Sequence, residues 1–414
     1  MPKIQISSRG IRAALKKYTP YQSIAEYIWN GFDAGATQID MDYVADELGG
    51  LVSLSIKDNG YGIAHEKLQE KFEPMFESRK ALENKLKQHR SALHGKKGIG
   101  RLTFFTFARS AIWKTVFEKD GKNYTYDIFA NSENINFYTG INSTPKETER
   151  TIGTTVAFSG IHTLTSTNLQ DKFSDFLCKE FAWFLELNSK SNFSININGN
   201  RLDYSHLIAE KEIFEILHEK SKTSFLVTYV RWNEKSFNEP SRYYYLNSVD
   251  LEQWKEPTVI KNKGEQFHHS VFVKSAYFDS FAFQSLEETG QETLLGGSRS
   301  DAQFRFLRRK LANYLRIKRR PFLKNFAEKL IEEYREQNIL PENSSDNFLE
   351  TIKTLYEIQP RIFSALNKEQ KHLLLGMLSL LSKSDKKSII PEIIKKIVDL
   401  SDDELAELQR LFAV

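Results

Sequence analysis

Alternating hydrophobic and polar residues predict several strands in the first half of the chain. The alternation is clear in LVSLSIKD at 51–58, YTYDIFA at 124–130, TTVAFSG at 154–160 and NFSININGN at 192–200. Helical spacing falls among these strands, near residues 20–34 and 168–189. Because each layer must bury its apolar face against another, the pattern predicts a mixed α+β domain.

The second half of the chain has a different order of elements. Strand patterns recur at 224–232, 241–247 and 270–278, and a long basic helix, DAQFRFLRRKLANYLRIKRRPFLKNFAEKLIEEYREQ, follows them. We expect Pro321 to kink or break this helix, because proline removes a backbone donor and clashes with the preceding turn. From about Asn347 the helical period continues and predicts a small bundle. The predicted domains are therefore 1–205, 206–340 and 341–414.

Composition and charge narrow the class of protein. The 414 residues carry 58 Lys and Arg against 54 Asp and Glu, a net charge of +4, which does not by itself indicate nucleic-acid binding. The one cysteine, Cys178, excludes an internal disulfide framework and a multi-cysteine zinc site. The sequence shows neither a signal peptide nor a long apolar span, so we expect a cytoplasmic protein without membrane association.

The first candidate site residues lie in EYIWNGFDAG. On a helix with Thr19 as N-cap and Pro20 as its first residue, Glu26, Asn30 and Asp33 are spaced by four and three residues and project from one face. A solvent-exposed face is the alternative interpretation of this pattern. The rest of the sequence has to distinguish the two.

A second motif, IKDNGYGI, follows an apolar strand. Gly60 and Gly62 allow a sharp turn and the close approach of a flat ligand, and Asp58 can accept a hydrogen bond from an exocyclic amine such as that of adenine. Taken alone, the motif is also typical of a surface turn.

A glycine-rich segment, HGKKGIGRLTFFTFA, forms the third motif. Gly95, Gly98 and Gly100 precede an apolar helical stretch, and a helix N-terminus fed by glycine-rich backbone presents N–H groups to polyphosphate. The spacing fits neither a P-loop nor a dinucleotide fingerprint. The fourth motif, ERTIGTTVAFSG, places Gly153 and Thr154 at the head of a strand, where a hydroxyl can reach the edge of a base.

These four motifs, in this order, resemble the GHKL ATPase superfamily with its Bergerat nucleotide-binding fold. The likeness is nearest to the ninety-kilodalton heat-shock chaperone and the MORC-like group of prokaryotic ATP-binding proteins. The resemblance implies an α+β fold: a two-layer α/β sandwich ATPase domain, a smaller α/β transducer-like middle domain and a C-terminal helical bundle. It also implies a lid over ATP at about 63–100. The polar composition of this stretch is equally compatible with a solvent-exposed helical segment.

The resemblance assigns a role to each motif. Glu26 would be the general base for the attacking water, Asn30 would ligate Mg²⁺, and Asp33 would support the nucleotide site. Asp58 would read the adenine amino group, and Thr154 would add a hydrogen bond to it. The remaining nucleotide contacts would come from Gly60, Gly62, Gly95, Lys96, Lys97, Gly98, Ile99, Gly100 and Arg101.

One further candidate lies beyond the four motifs. The segment LLGGSRSDAQFRFLRRKLANYLRIKRR resembles the catalytic loop and basic helix of the chaperone's middle domain, which makes Arg299 a candidate contact of the γ-phosphate. The alternative is a surface arginine at a helix start. Only 25 residues precede Glu26, and none is histidine, so the resemblance favours the hydrolysing branches over sensor kinases.

Three functions stay open on the sequence. The first is an ATP-hydrolysing conformational clamp that forms a homodimer on ATP binding and acts on a macromolecular partner, with defence against phage as one setting. The second is an ATP-gated DNA-binding protein of MORC or MutL type, suggested by the basic helix, whose charges read alternatively as a solvated face. The third is a scaffold that does not hydrolyse ATP.

Overall fold

The computed structural model divides the chain into two compact units. The first comprises Met1–Pro257 and His269–Gln303, and the second comprises Thr258–His268 and Phe304–Val414. The structure describes residues 15–72, 100–134, 137–236, 239–260, 267–281, 298–342, 344–364, 366–398, 400 and 402–412.

An eight-stranded sheet organises the N-terminal part of the first unit. Its strand order is β5-β4-β3-β6-β2-β1-β7-β8, and the β1–β7 pair is parallel whereas the other pairs are antiparallel. The strands are β1 (Gln38–Ala45), β2 (Leu51–Asp58), β3 (Ser110–Lys119), β4 (Lys122–Asn131), β5 (Lys146–Glu147), β6 (Gly153–Ser159), β7 (Ser194–Ile197) and β8 (Asn200–Arg201).

Helices of the first unit pack with this sheet. They are α1 (Pro20–Asp33), the short α2 (Leu68–Phe72) and α3 (Ser166–Asn168), and α4 (Ser174–Leu187). A 3₁₀ helix at Gly100–Thr106 lies against α1. The predicted helix at 168–189 is confirmed as α4, preceded by a π-helical turn at Leu169–Phe173.

A five-stranded sheet completes the first unit. Its order is β12-β11-β13-β10-β9, built from β9 (Ile208–His218), β10 (Thr223–Trp232), β11 (Arg242–Leu246), β12 (Glu252–Pro257) and β13 (His268–Lys274). The predicted strand at 270–278 ends at Lys274, because Ser275 caps a 3₁₀ helix by accepting a hydrogen bond from the backbone N–H of Tyr277 at 3.2 Å.

One hydrophobic core runs through both sheets of the first unit. Trp29 of α1 lies 4.5 Å from Phe181 of α4, measured between ring centroids, and Trp183 of α4 stacks on Tyr244 of β11 at 5.6 Å. Helix α4 is therefore the shared layer between the helix that carries the first motif and the second sheet. The boundary expected between residues 205 and 206 stays a prediction, as does the one between 340 and 341.

The second unit is helical. It holds most of α5 (Ala302–Glu336), followed by α6 (Asp346–Ile358), α7 (Arg361–Ser364), α8 (Lys368–Ser382), α9 (Ile390–Ile397) and α10 (Asp402–Leu411). Its core includes Leu323, Ala327, Ile352, Leu375 and Ile394. The mixed α+β class with a C-terminal helical region is thus confirmed.

Of the expected kink or break at Pro321, the break is wrong and the kink stays a prediction. Helix α5 continues through Pro321 from Ala302 to Glu336. An interior proline costs a helix about 3 kcal/mol, but Leu315 and Leu323 on either side of it are almost fully buried. Burying such side chains contributes roughly 1.5–3 kcal/mol each, enough to offset the cost.

Among the described residues, no helix is both long and apolar enough to cross a membrane.

Candidate functional site

The start of α1 is fixed by its own side chains. Thr19 accepts a hydrogen bond from the backbone N–H of Gln22 at 3.2 Å, and Gln22 accepts one from the backbone N–H of Thr19 at 3.0 Å. Pro20 occupies the first turn, where its missing donor costs nothing. The predicted N-cap is therefore confirmed.

The opposite side of α1 is anchored in aromatic side chains. Phe32 packs on Phe184 with ring centroids 4.8 Å apart, and the indole N–H of Trp29 donates to the buried Glu180 carboxylate at 3.0 Å. Glu26, Asn30 and Asp33 are half-buried rather than fully exposed. The face that carries them is therefore not an ordinary solvated face.

The segment after the predicted lid lies directly against this face. The Tyr27 hydroxyl donates to the carbonyl oxygen of Arg101 at 2.7 Å, and the Thr103 hydroxyl donates to the carbonyl oxygens of Gly100 at 2.7 Å and Ser23 at 3.2 Å. These bonds hold the start of the 3₁₀ helix against α1.

Gly100 itself stands beside the first motif. A Cβ atom at this position would lie 2.9 Å from Oε2 of Glu26 and 3.7 Å from Nδ2 of Asn30. The structure therefore brings Gly100 against Glu26 and Asn30, which precede it in the sequence by 74 and 70 positions. A side chain larger than glycine at this position would collide with the Glu26 carboxylate.

Asp58 ends β2, and its side chain is half-buried. Its Oδ1 accepts hydrogen bonds from the backbone N–H of Gly60 at 2.9 Å and of Thr154 at 3.3 Å. Burial raises the pKa of this carboxyl from 3.8 to about 6, although the two accepted hydrogen bonds act in the opposite direction. A carboxylate of this kind is suited to accept a hydrogen bond from an amine.

The glycines around Asp58 are required by close backbone contacts. Gly62 has φ +69°, and a Cβ there would lie 2.1 Å from the carbonyl oxygen of Val116. A Cβ on Gly60 would lie 2.5 Å from the carbonyl oxygen of Ala34. The turn between β2 and α2 can therefore follow this path only with glycine at both positions.

Thr154 belongs to a hydroxyl network that the sequence did not reveal. Its Oγ1 lies 3.0 Å from Oγ1 of Thr115, and Thr115 accepts a hydrogen bond from the backbone N–H of Ile63 at 2.9 Å. Both threonines are buried. Thr115 thus joins the Asp58 turn to β6. The sequence patterns did not predict β3, the strand that carries Thr115, and therefore did not indicate this contact.

Asp33 and Arg101, two further candidates, contact neighbouring segments. The Tyr61 hydroxyl donates to the carbonyl oxygen of Asp33 at 3.0 Å, which ties the end of α1 to the Asp58 turn. The Arg101 guanidinium donates to the carbonyl oxygen of Phe72 and lies 5.6 Å from its ring centroid. Burial lowers the Arg101 pKa to about 10. The side chain of Arg101 therefore supports the end of α2.

Arg299 lies against the second sheet. Its Nη2 is 3.7 Å from Oε2 of Glu256, and its guanidinium carbon is 5.2 Å from the ring centroid of Trp254, both on β12. Gly95, Lys96, Lys97, Gly98 and Ile99 lie outside the described residues, as does most of the predicted lid.

The described residues are compatible with a Mg²⁺ ion that is bound mainly by the phosphates of a nucleotide. Among them, no group of three or more His, Cys, Asp or Glu side chains could hold a metal ion. Mg²⁺ in nucleotide sites takes most of its ligands from phosphate and water, so Asn30, whose side-chain amide lies near Gly100, is compatible with it as a single protein ligand.

Comparisons with known proteins agree with this arrangement. Residues 18–156 match the model of a family described as histidine kinase-, DNA gyrase B-, and HSP90-like ATPase. Among solved structures, the chain is similar to the 43K ATPase domain of Thermus thermophilus gyrase B in complex with an aminocoumarin. The identity is 15%, the match covers 64% of this chain and 81% of that one, and the TM-score of 0.33 is too low to support an argument.

No curated protein matches the chain. The matched span begins just before α1 and ends within β6, so it contains Glu26, Asn30, Asp58, Gly100 and Thr154. Residues 18–156 of this α+β chain therefore resemble a GHKL-type ATPase domain.

Proposed function

We propose that this chain binds ATP and hydrolyses it with Mg²⁺, and that hydrolysis drives a conformational clamp. The observation that carries the proposal is the close approach of Gly100 to both Glu26 and Asn30, which places the glycine-rich segment directly against the face of α1 that carries them. The half-buried Asp58 supports it as an acceptor for the adenine amine. In this proposal Glu26 and Asn30 serve the phosphate end of the nucleotide, and Asp58 serves its base.

The proposed chemistry follows from the types of side chain. Glu26 orients a water molecule for in-line attack on the γ-phosphate and accepts its proton. Asn30 holds Mg²⁺, which neutralises charge on the phosphate oxygens when bound. The backbone N–H groups at the start of the 3₁₀ helix donate to the phosphates.

Base recognition rests on Asp58 and Thr154. Asp58 accepts from the exocyclic amine of adenine while its Oδ1 stays bonded to two backbone N–H groups. Guanine presents an acceptor oxygen at the corresponding position, which a carboxylate repels. We therefore expect the site to prefer ATP over GTP.

The clamp itself rests on the resemblance to the chaperone and MORC-like group. In this proposal ATP closes the stretch at about 63–100 over the nucleotide, a homodimer forms, and Arg299 contacts the γ-phosphate. Arg299 must then leave Glu256 and Trp254, which hold it in the structure described here.

Measuring hydrolysis and nucleotide affinity in parallel tests the proposal. We expect slow ATP turnover that stops when Mg²⁺ is chelated, and ATP binding at least 30-fold tighter than GTP binding, roughly 2 kcal/mol at the base. Equal affinities for ATP and GTP would contradict the role of Asp58. Failure to bind any nucleotide would favour the scaffold alternative.

A second candidate function is binding to DNA through α5. Between residues 302 and 327 the helix carries nine cations and no Asp or Glu, namely Arg305, Arg308, Arg309, Lys310, Arg316, Lys318, Arg319, Arg320 and Lys324. Arg305, Arg309, Arg320 and Lys324 are exposed. Their spacing of 4, 11 and 4 residues places them along one side of the helix, over about 28 Å.

Salt-dependent binding to duplex DNA tests this second function. We expect Arg305→Gln, Arg309→Gln and Lys324→Gln together to weaken binding and to reduce its dependence on salt. A variant with Lys190→Gln, Lys222→Gln and Lys386→Gln removes the same charge from other exposed positions and should bind normally. Equal loss in both variants would show that overall charge rather than α5 is responsible.

A further inference from the structure

An exposed apolar stripe runs along α8 of the second unit. Leu373, Met377 and Leu380 are 68%, 42% and 75% exposed, and they lie on the side opposite the buried Leu374, Leu375 and Leu378. Their spacing of four and three residues places them on one face of the helix. Exposed leucines on one face of a helix mark an interaction surface more often than isolated apolar residues do.

Gly376 lies in the middle of this stripe. Among the described residues, nothing lies within 4 Å of a Cβ atom built on Gly376, so packing against them does not require the glycine. Glycine in a helix interior costs about 1 kcal/mol relative to alanine. A second helix that crosses at Gly376 could approach closely, because glycine has no side chain. Such a contact would explain a glycine that packing among the described residues does not require.

The charges at the ends of the stripe are arranged symmetrically about Gly376. Glu369 lies seven residues before it and Lys383 seven residues after it, and both are exposed. Within the described part of the chain, neither side chain has an ion-pair partner. Seven residues correspond to about two helical turns, roughly 10 Å, so Glu369 and the C-cap residue Lys383 lie on the same side of the helix as Gly376.

We propose that this face of α8 binds α8 of a second copy of the chain, antiparallel, with a two-fold axis at Gly376. Such an axis places Glu369 of each copy opposite the partner's Lys383 and packs the two leucine stripes together. A two-fold contact requires a surface that is complementary to itself. The opposite charges at equal distances from Gly376 meet that requirement, whereas a parallel arrangement would place like charges together.

The proposed contact belongs to the second unit, whereas the residues proposed to bind ATP belong to the first, and it does not depend on nucleotide. The 15-residue helix is about 22 Å long. One pair of such helices buries less than the ~1,200 Å² of a standard interface, so we expect dissociation constants in roughly the micromolar range.

Sedimentation velocity of the full chain without nucleotide tests the proposal. We expect a concentration-dependent dimer, and we expect Leu373→Glu with Leu380→Glu to raise its dissociation constant more than 100-fold. Glu369→Lys and Lys383→Glu should each raise it about fivefold or more, because each breaks two symmetric ion pairs. The double reversal should restore binding. A monomer at every concentration, or a double reversal no better than the singles, would overturn the proposal.

Cross-linking at the axis gives an independent test. The chain has one cysteine, Cys178, which is buried, and burial raises its pKa to about 11. In a Gly376→Cys variant we expect a short bifunctional maleimide to join two copies efficiently. The control Leu48→Cys, on the 97% exposed Leu48, should cross-link only at background level. Equal cross-linking of both variants would contradict a two-fold axis at Gly376.

Discussion

Replacing Asp58 by asparagine should stabilise the first unit while it weakens nucleotide binding. Burial raises the pKa of Asp58 from 3.8 to about 6, so the folded chain holds its proton more tightly than the unfolded chain. A difference of roughly two pKa units corresponds to about 3 kcal/mol. The ionised carboxylate therefore destabilises the fold by about that amount at neutral pH.

The sign of the pH dependence follows from the raised pKa. Well below pH 3.8 the carboxyl is protonated in both states and costs nothing, and the cost grows as the pH rises from about 4 to about 6. Asparagine resembles the protonated acid and keeps an oxygen that can accept from Gly60 and Thr154. Asp58→Asn should therefore raise the free energy of unfolding by about 3 kcal/mol at pH 7.5 but by only about 1 kcal/mol at pH 4.5.

Urea unfolding followed by tryptophan fluorescence measures this gain. All five tryptophans, Trp29, Trp113, Trp183, Trp232 and Trp254, lie in the first unit, so the signal reports that unit alone. Asp127→Asn, at an exposed position on β4, is the matched control and should change neither the stability nor its pH dependence.

The same variant should bind ATP about 10- to 100-fold more weakly, since a hydrogen bond to a charged acceptor contributes roughly 1.5–3 kcal/mol. Loss of stability in Asp58→Asn at pH 7.5, or a gain of the same size at pH 4.5, would refute the reasoning. Either result would mean that the ionised Asp58 carboxylate does not destabilise the fold.

Three further predictions concern the same site. ATP affinity of the wild-type chain should rise as the pH increases from 5 to 7 and then level off, because the adenine amine needs an ionised Asp58; titration calorimetry across that range checks it. Thr154→Val should remove the hydroxyl contact with Thr115 and weaken ATP binding about fivefold, roughly 1 kcal/mol, whereas Thr154→Ser should bind nearly normally. Gly62→Ala should lower the free energy of unfolding by more than 2 kcal/mol, because its φ is +69° and its new methyl group would meet a carbonyl oxygen of β3; urea unfolding measures the loss.

Local patterns in the sequence predicted the elements that carry strong signals. Thr19 and Pro20 defined the start of α1, and the alternation at 51–58 coincides with β2. Strands β1 (QIDMDYVA) and β9 (IAEKEIFEILH) were missed, although Ile39, Met41 and Tyr43 of β1 alternate with polar residues as in the predicted strands. Ile39 and Met41 of β1 are nevertheless fully buried, and only the packed sheet shows it.

The candidate site was predictable as a set of motifs but not as a geometry. Nothing local in the sequence indicates that Gly100 lies against Glu26, since the contact depends on bonds from Tyr27 and Thr103. The raised pKa of Asp58 depends on burial by distant segments and is equally non-local. Pro321 shows the reverse case, in which a strong local signal for a break is outweighed by tertiary packing.

Parallel measurement of ATP binding and ATP hydrolysis in Glu26→Ala tests the central claim most directly. Alanine preserves the helix and removes only the carboxylate beside Gly100. We predict that this variant binds ATP with nearly wild-type affinity and hydrolyses it at least 100-fold more slowly, as expected for loss of a general base. Full hydrolytic activity in Glu26→Ala would contradict the assignment of this face of α1 as the catalytic centre.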